Sequence, residues 1–223
     1  MKILNRINTL TKESINGRRY YCCPDGNKVV SVTTILSETK SDKTKEALTK
    51  WRSFVGNDKA DQIVKHSCDV GTLLHSKIEN YFLGNNITTG TNHIHRLADN
   101  MFEIMKKEGL GQITDCWGNE ISLFFPKVYA GTTDCVGIVN NKPTIIDFKN
   151  SRKIKTIEQI EDYTIQLAAY AEAFEQNYNI EINSGLILMV TQDLQFTNFY
   201  FDSTDFKKLK LKWWDKVEEF YIR

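Results

Sequence analysis

Two runs rich in β-branched residues, VYAGTTDCVGIV and KPTIIDFKN, stand on either side of Asn140-Asn141 and constrain this chain more than any other feature. Asparagine tolerates left-handed backbone, so an Asn-Asn pair between apolar runs predicts a tight hairpin. A further run, GNEISLFFP, ends at Pro126 and adds a strand before them. The middle of the chain is therefore expected to form an antiparallel meander of three strands. Strand side chains alternate faces, which puts Asp147 and Lys149 on one side and sends Phe148 to the other, into the core. Asp134, on the neighbouring strand, can then meet the pair.

The flanks read mostly as helices. YYCCPDGNKVVSVTTIL pairs Pro-Asp-Gly turn chemistry with β-branched residues and predicts a hairpin or short strand leading into Ser37. In SDKTKEALTKWRSF, Ala47, Leu48, Trp51 and Phe54 recur at helical spacing behind a Ser41 or Asp42 cap, a register that puts Trp51 in the core. Helices over 58–68, 71–82 and 91–107 follow, with Leu74, Ile78 and Tyr81 as the buried stripe of the second. After the meander come a helix over 156–178 carrying Ile160, Tyr163, Leu167, Tyr170 and Phe174, two strands, SGLILMVT and QFTNFYF, and a C-terminal helix. That order predicts an α/β (α+β) mixed sheet flanked by helices, in one domain over 1–223. Residues 1–109 would be a mainly helical portion and 110–223 the sheet core.

Composition narrows the class. A chain of 223 residues, 41% of them hydrophobic, needs no disulfide or metal staple. No apolar run approaches the roughly 20 residues that span a bilayer. The start MKILNRINTLTKES is too polar for a secretory signal, so a cytoplasmic protein without membrane contact is expected. Five cysteines with no C-x-x-C pair read as reduced thiols. The net charge of +1 conceals a net +6 over residues 1–66 and a net +4 over 142–155, where Lys142, Lys149, Arg152, Lys153 and Lys155 face only Asp147. Such patches suit a phosphate backbone, although a solvated surface explains any single lysine equally well.

Two carboxylates converging beside a lysine can hold a divalent cation through hard oxygen ligands, with an ammonium placed to orient a water. That is the minimum for metal-assisted phosphodiester hydrolysis. The alternative is a structural ion pair at a strand end, which the apolar Thr-Ile-Ile before Asp147 weakens because it describes a strand leaving the core.

These residues resemble the PD-(D/E)XK nucleases, and within them the RecB-like exonucleases. Asp134 takes the first acidic position, and Asp147-Phe148-Lys149 matches the D-x-K element. QLAAY resembles the Q-x-x-x-Y motif, through Gln166 and Tyr170. GTLLHSKIENYF resembles the G-T-x-x-H-x-x-x-E helix, through His75 and Glu79, and SVTTILSETK is similar to a segment of the mitochondrial genome maintenance exonucleases and their phage relatives. The resemblance runs from about Tyr21 to Phe174. Thr133 replaces the motif proline, and the second acid is Asp147 rather than Glu, both accepted variants. Cluster-bearing relatives use three cysteines near the C-terminus, whereas this chain has none after Cys135, so no iron-sulfur cluster is expected.

The resemblance implies a restriction-endonuclease-like core and a Mg2+- or Mn2+-dependent DNA exonuclease acting on single-stranded ends, in phage-type recombination or replication in a host bacterial cytoplasm. It implies metal contacts from His75, Asp134, Asp147 and the Phe148 carbonyl, with Glu79 a further candidate. Lys149 would act on water, and Gln166 and Tyr170 would position water or phosphate. Glu120, on the preceding strand, is a weaker candidate. For DNA contact the candidates are Ser31, Arg52, Arg152 and Lys153. Two alternatives stay open: a flap or junction endonuclease with the same chemistry, and a non-catalytic nucleic-acid-binding module.

Overall fold

The computed structural model describes residues 10–222, so residues 1–9 of the polar leader lie outside the described residues. Eight strands form one mixed sheet: β1 (Thr11–Ile15), β2 (Arg18–Cys22), β3 (Lys28–Ser31), β4 (Asp115–Phe125), β5 (Tyr129–Val139), β6 (Lys142–Ser151), β7 (Gly185–Thr191) and β8 (Phe196–Phe201). Their order is β1-β2-β3-β5-β6-β7-β8, with β4 also on β5. The β3/β5 and β6/β7 pairs are parallel and the rest antiparallel. The meander is β4-β5-β6, and its second turn has φ of 50° at Asn140 and 61° at Asn141, the left-handed values that asparagine accepts.

Among the described residues six α-helices flank the sheet: α1 (Val32–Glu38), α2 (Asp42–Val55), α3 (Asn57–Leu83), α4 (His93–Glu108), α5 (Glu161–Tyr178) and α6 (Ser203–Ile222). On one face, Ile35 of α1, Leu167 and Phe174 of α5 and Trp213 of α6 pack on Tyr129, Ile145 and Ile187. On the other, Leu74 and Ile78 of α3 and Met101 and Phe102 of α4 pack on Ile146, Phe148 and Leu188. Ile145 and Ile146 thus serve opposite cores, which is why β6 reads as a continuous apolar run rather than an alternating one.

The N-terminal part departs from expectation in four ways. Beside its four helices it supplies three strands to the sheet where one hairpin or short strand was expected, and β3 docks on β5 at Val30–Tyr129 and Ser31–Ala130. Val32-Thr33-Thr34-Ile35-Leu36 is helical, because Ser31 Oγ accepts the Thr34 N–H at 3.0 Å and Val32, Ile35 and Leu36 are buried. Trp51 is not in the core: α2 buries no residue, and Leu48 and Phe54 are 48% and 90% exposed. The two helices expected over 58–82 are one, α3, which runs through Gly71. Its stripe ends at Ile78, with Tyr81 39% exposed.

Candidate active site

The site forms where β5 and β6 part. Their ladder ends at Cys135–Ile146. Beyond it the Phe148 N–H donates to Asp134 Oδ2 at 2.8 Å, a carboxylate taking the place of a strand carbonyl. His75 reaches in from α3, its Nε2 lying 2.9 Å from the Phe148 carbonyl. A carbonyl only accepts, so Nε2 carries hydrogen. Nδ1 then faces Asp134 Oδ1 at 3.6 Å and Glu120 Oε1 at 3.9 Å. α3 can come this close because residue 71 is glycine: a Cβ there would lie 2.8 Å from Asn150 Oδ1, while Asn150 Nδ2 donates to the Ser67 carbonyl at 2.9 Å.

Glu120 sits between the pairs Asn119–Cys135 and Ile121–Thr133, and so faces Asp134 across the ladder. Like charges placed opposite each other repel. Glu120 also has φ of 48°, a left-handed backbone that costs a non-glycine residue free energy. A cation shared by the two carboxylates would offset the repulsion. Donor atoms of His75, Glu120 and Asp134 all lie within 4.8 Å of one another. Glu79 lines the cleft but is not one of these three.

Asp147 is buried, and Lys149 Nζ lies 2.8 Å from its Oδ1 and 2.6 Å from its Oδ2. Oδ2 accepts no well-aligned hydrogen bond. Burial pushes the Asp147 carboxyl up to about 6 despite the pull of Lys149. For Lys149, burial alone would lower the ammonium's pKa, but Asp147 and Asp134 outweigh it and the net shift is upward. Burial likewise opposes the charged form of His75, yet Asp134 and Glu120 raise it to about 9.

α5 closes the site from the other side of the sheet. Lys149 Nζ lies 3.4 Å from Gln166 Oε1, and Gln166 Nε2 donates to the Tyr170 hydroxyl at 3.0 Å. Burial raises the Tyr170 hydroxyl well above its ordinary value, so it stays protonated. The sequence places Tyr163 only on one side of this helix, with Ile160, Leu167, Tyr170 and Phe174. In the structure the Lys149 and Lys155 ammoniums lie 4.9 and 4.6 Å from its ring, and Lys155 donates to its hydroxyl at 2.8 Å.

A cleft of about 1050 Å3 is lined by His75, Glu79, Glu120, Asn150 and Tyr163, whereas Asp134, Asp147, Lys149, Gln166 and Tyr170 lie outside its lining. Arg152 and Lys155 line it, and Lys153 does not. Arg52 pairs with Asp61 across α2 and α3. Ser31 is 2% exposed, and its hydroxyl caps α1 instead of facing a ligand. Asn150 had no sequence signal of a cleft role beyond being next to Lys149, and Tyr163 had none.

The mixed sheet brings its Asp, Asp-x-Lys and Gln-x-x-x-Tyr elements together at one place, the arrangement that the resemblance to PD-(D/E)XK nucleases implies. No protein-family model matches the chain. In sequence the chain is similar to mitochondrial genome maintenance exonuclease 1 of Xenopus tropicalis, at 37% identity over 91 residues, 40% of this chain and 25% of that protein. The protein of the same name from Mus musculus is 26% identical over 208 residues, 87% of this chain and 59% of that one. The chain thus spans less than two thirds of either relative. Among solved structures, a phage related exonuclease from Haemophilus somnus 129PT overlays with a TM-score of 0.37 at 14% identity, covering 66% of this chain and 78% of that one. A protein from Eubacterium rectale overlays at 0.48 and 14%, covering 67% and 64%.

Proposed function

We propose that this chain is a deoxyribonuclease that hydrolyses phosphodiester bonds from the ends of single-stranded DNA, using Mg2+ or Mn2+, in phage-type recombination or replication. The observation that carries the reading is the convergence of His75, Glu120 and Asp134 donors within 4.8 Å beside the buried Lys149–Asp147 pair. A set of carboxylate oxygens with one imidazole suits a hard divalent cation. His75 Nδ1, Glu120 and Asp134 would hold it, with Asp147 and the second lone pair of the Phe148 carbonyl beside them. A bound cation would neutralise charge gathering on the scissile phosphate.

The chain's own groups do the rest. The water's oxygen bonds phosphorus as the bond to the leaving oxygen breaks, the water's proton passing to solvent and the leaving oxygen taking one from solvent. Lys149, its ammonium fixed by Asp147, donates a hydrogen bond to the hydroxide so formed. Gln166 holds Lys149 from α5 and Tyr170 holds Gln166, so the reacting lysine is oriented through two hydrogen bonds from one helical face. Arg152 and Lys155 receive neighbouring phosphates. Among the described residues no helix is long and apolar enough to cross a membrane.

The test is digestion of end-labelled linear single-stranded, linear duplex and circular single-stranded DNA with Mg2+, Mn2+ or EDTA, with Asp147→Ala and Lys149→Ala as controls. Metal-dependent loss of the linear single strand alone, absent in both variants, is expected. Cutting of the circle would replace the exonuclease by an endonuclease, and metal-independent binding without cutting would overturn catalysis.

A further inference from the structure

The cleft is chemically two-sided. From β6 and the segment after it come Arg152 and Lys155, both cationic. From α2 and the first half of α3 come Trp51 and Ile63, neither carrying charge, with His75 and Glu79 further along α3. Trp51 is the anomaly on that side. Its helix buries nothing, so the indole does not serve a core, and it lines the cleft while only partly exposed. The Arg52–Asp61 ion pair, from the adjacent residue to α3, steadies the helix at that point.

A groove with cations along one side and a flat aromatic on the other fits a polymer whose anionic backbone and aromatic faces point in different directions. A single DNA strand has that character. A duplex does not, since its base faces are stacked against one another and only edges and phosphates are offered. We propose that Trp51 is a stacking platform for a nucleobase of the single strand whose phosphates meet Arg152 and Lys155. This rests on the nuclease reading for the identity of the strand, and it makes Trp51 a positioning residue that selects unpaired DNA.

The test compares binding, in EDTA so that no strand is cut, of a short oligothymidylate and of an abasic oligomer with the same number of phosphates. The wild type should bind the thymidylate about tenfold more tightly, the size of one base–aromatic stack. Trp51→Ala should bind the two equally, with its affinity for the abasic strand retained, and Trp51→Phe should keep most of the preference. A merely structural tryptophan would weaken both strands together. If Trp51→Ala fails to fold, indole fluorescence decides: thymidylate should quench the wild type and not Trp51→Phe, and the abasic strand should quench neither. Equal affinities in the wild type, or the same quench in Trp51→Phe, would overturn the proposal. Since none of these readouts involves cleavage, a wild type that shows the preference but never cuts with metal would sink the nuclease reading and leave the stacking site standing.

Discussion

His75 and Asp134 hold the backbone of one residue from two directions: the imidazole bonds the carbonyl of Phe148 and the carboxylate bonds its N–H. The tip of β6 is therefore fixed by the same two side chains that offer donors to a cation. His75→Ala should then remove a ligand and loosen the strand end. DNA cleavage should fall by about 100-fold or more, and the rise in melting temperature on adding Mn2+ should shrink, as for loss of metal-site residues and ligand-linked stability. Thermal unfolding with and without Mn2+ checks it; an unchanged Mn2+ shift would remove His75 from the ligand set.

In the proposed reaction Lys149 acts on water, not on metal. Lys149→Met should lower kcat by about 10^2- to 10^4-fold, the range for positioned proton-handling groups. Breaking the buried pair with Asp147 should also cost about 3 kcal/mol of stability. Urea unfolding together with single-turnover digestion separates the two effects. A variant that digests DNA at the wild-type rate would remove Lys149 from the chemistry.

Gly71 permits the approach of α3 to β6. Gly71→Ala should destabilise the fold by about 1–3 kcal/mol, as overpacking does, and lower activity by shifting His75. Asn150→Ala should recover part of the stability lost, because the clash is with its side-chain oxygen. A double-mutant cycle read by urea unfolding checks the pair; strict additivity would mean the contact is not where the strain lies.

The cysteines report on both the cleft and the fold. Cys22 and Cys68 are exposed, whereas Cys23, Cys116 and Cys135 are buried. At pH 8 two thiols should label quickly, and oligothymidylate should slow the labelling of Cys68 alone, because Cys68 lines the cleft. Burial pushes the Cys23 thiol up to about 11 from its ordinary 9.0, so the native state holds this proton more tightly than the unfolded chain. Its contribution to stability is complete below pH 9 and is lost as pH rises toward 11. Peptide-resolved alkylation measures both, and rapid labelling of Cys23 at pH 8 would contradict the burial.

The meander was legible because two signals agreed: Asn140-Asn141 marked the turn, and the apolar runs on either side had strand length. Asp134, Asp147 and Lys149 were legible as candidates because alternation along β6 fixes which residues share a face. The readings that failed needed partners that a sequence does not display. Ser-Val-Thr-Thr-Ile carries strand propensity, yet Ser31 caps a helix that packs in the core. The apolar stripe of α2 has the period of a buried face, yet nothing packs over Phe54. Glu120 depends on a left-handed backbone that no residue preference announces, and the roles of Asn150 and Tyr163 arise only once α3 and α5 are folded against β6.

At a rise of about 1.5 Å per residue, the 27 residues of α3 make a rod of roughly 40 Å. One part of that rod, at Ile63 and Ser67, belongs to the cleft wall beside Trp51, and two turns further on it carries His75. With no break at Gly71, a strand pressing on the wall bears on the same lever that sets the imidazole. Substrate grip and cation affinity should then rise and fall together, even though no side chain takes part in both.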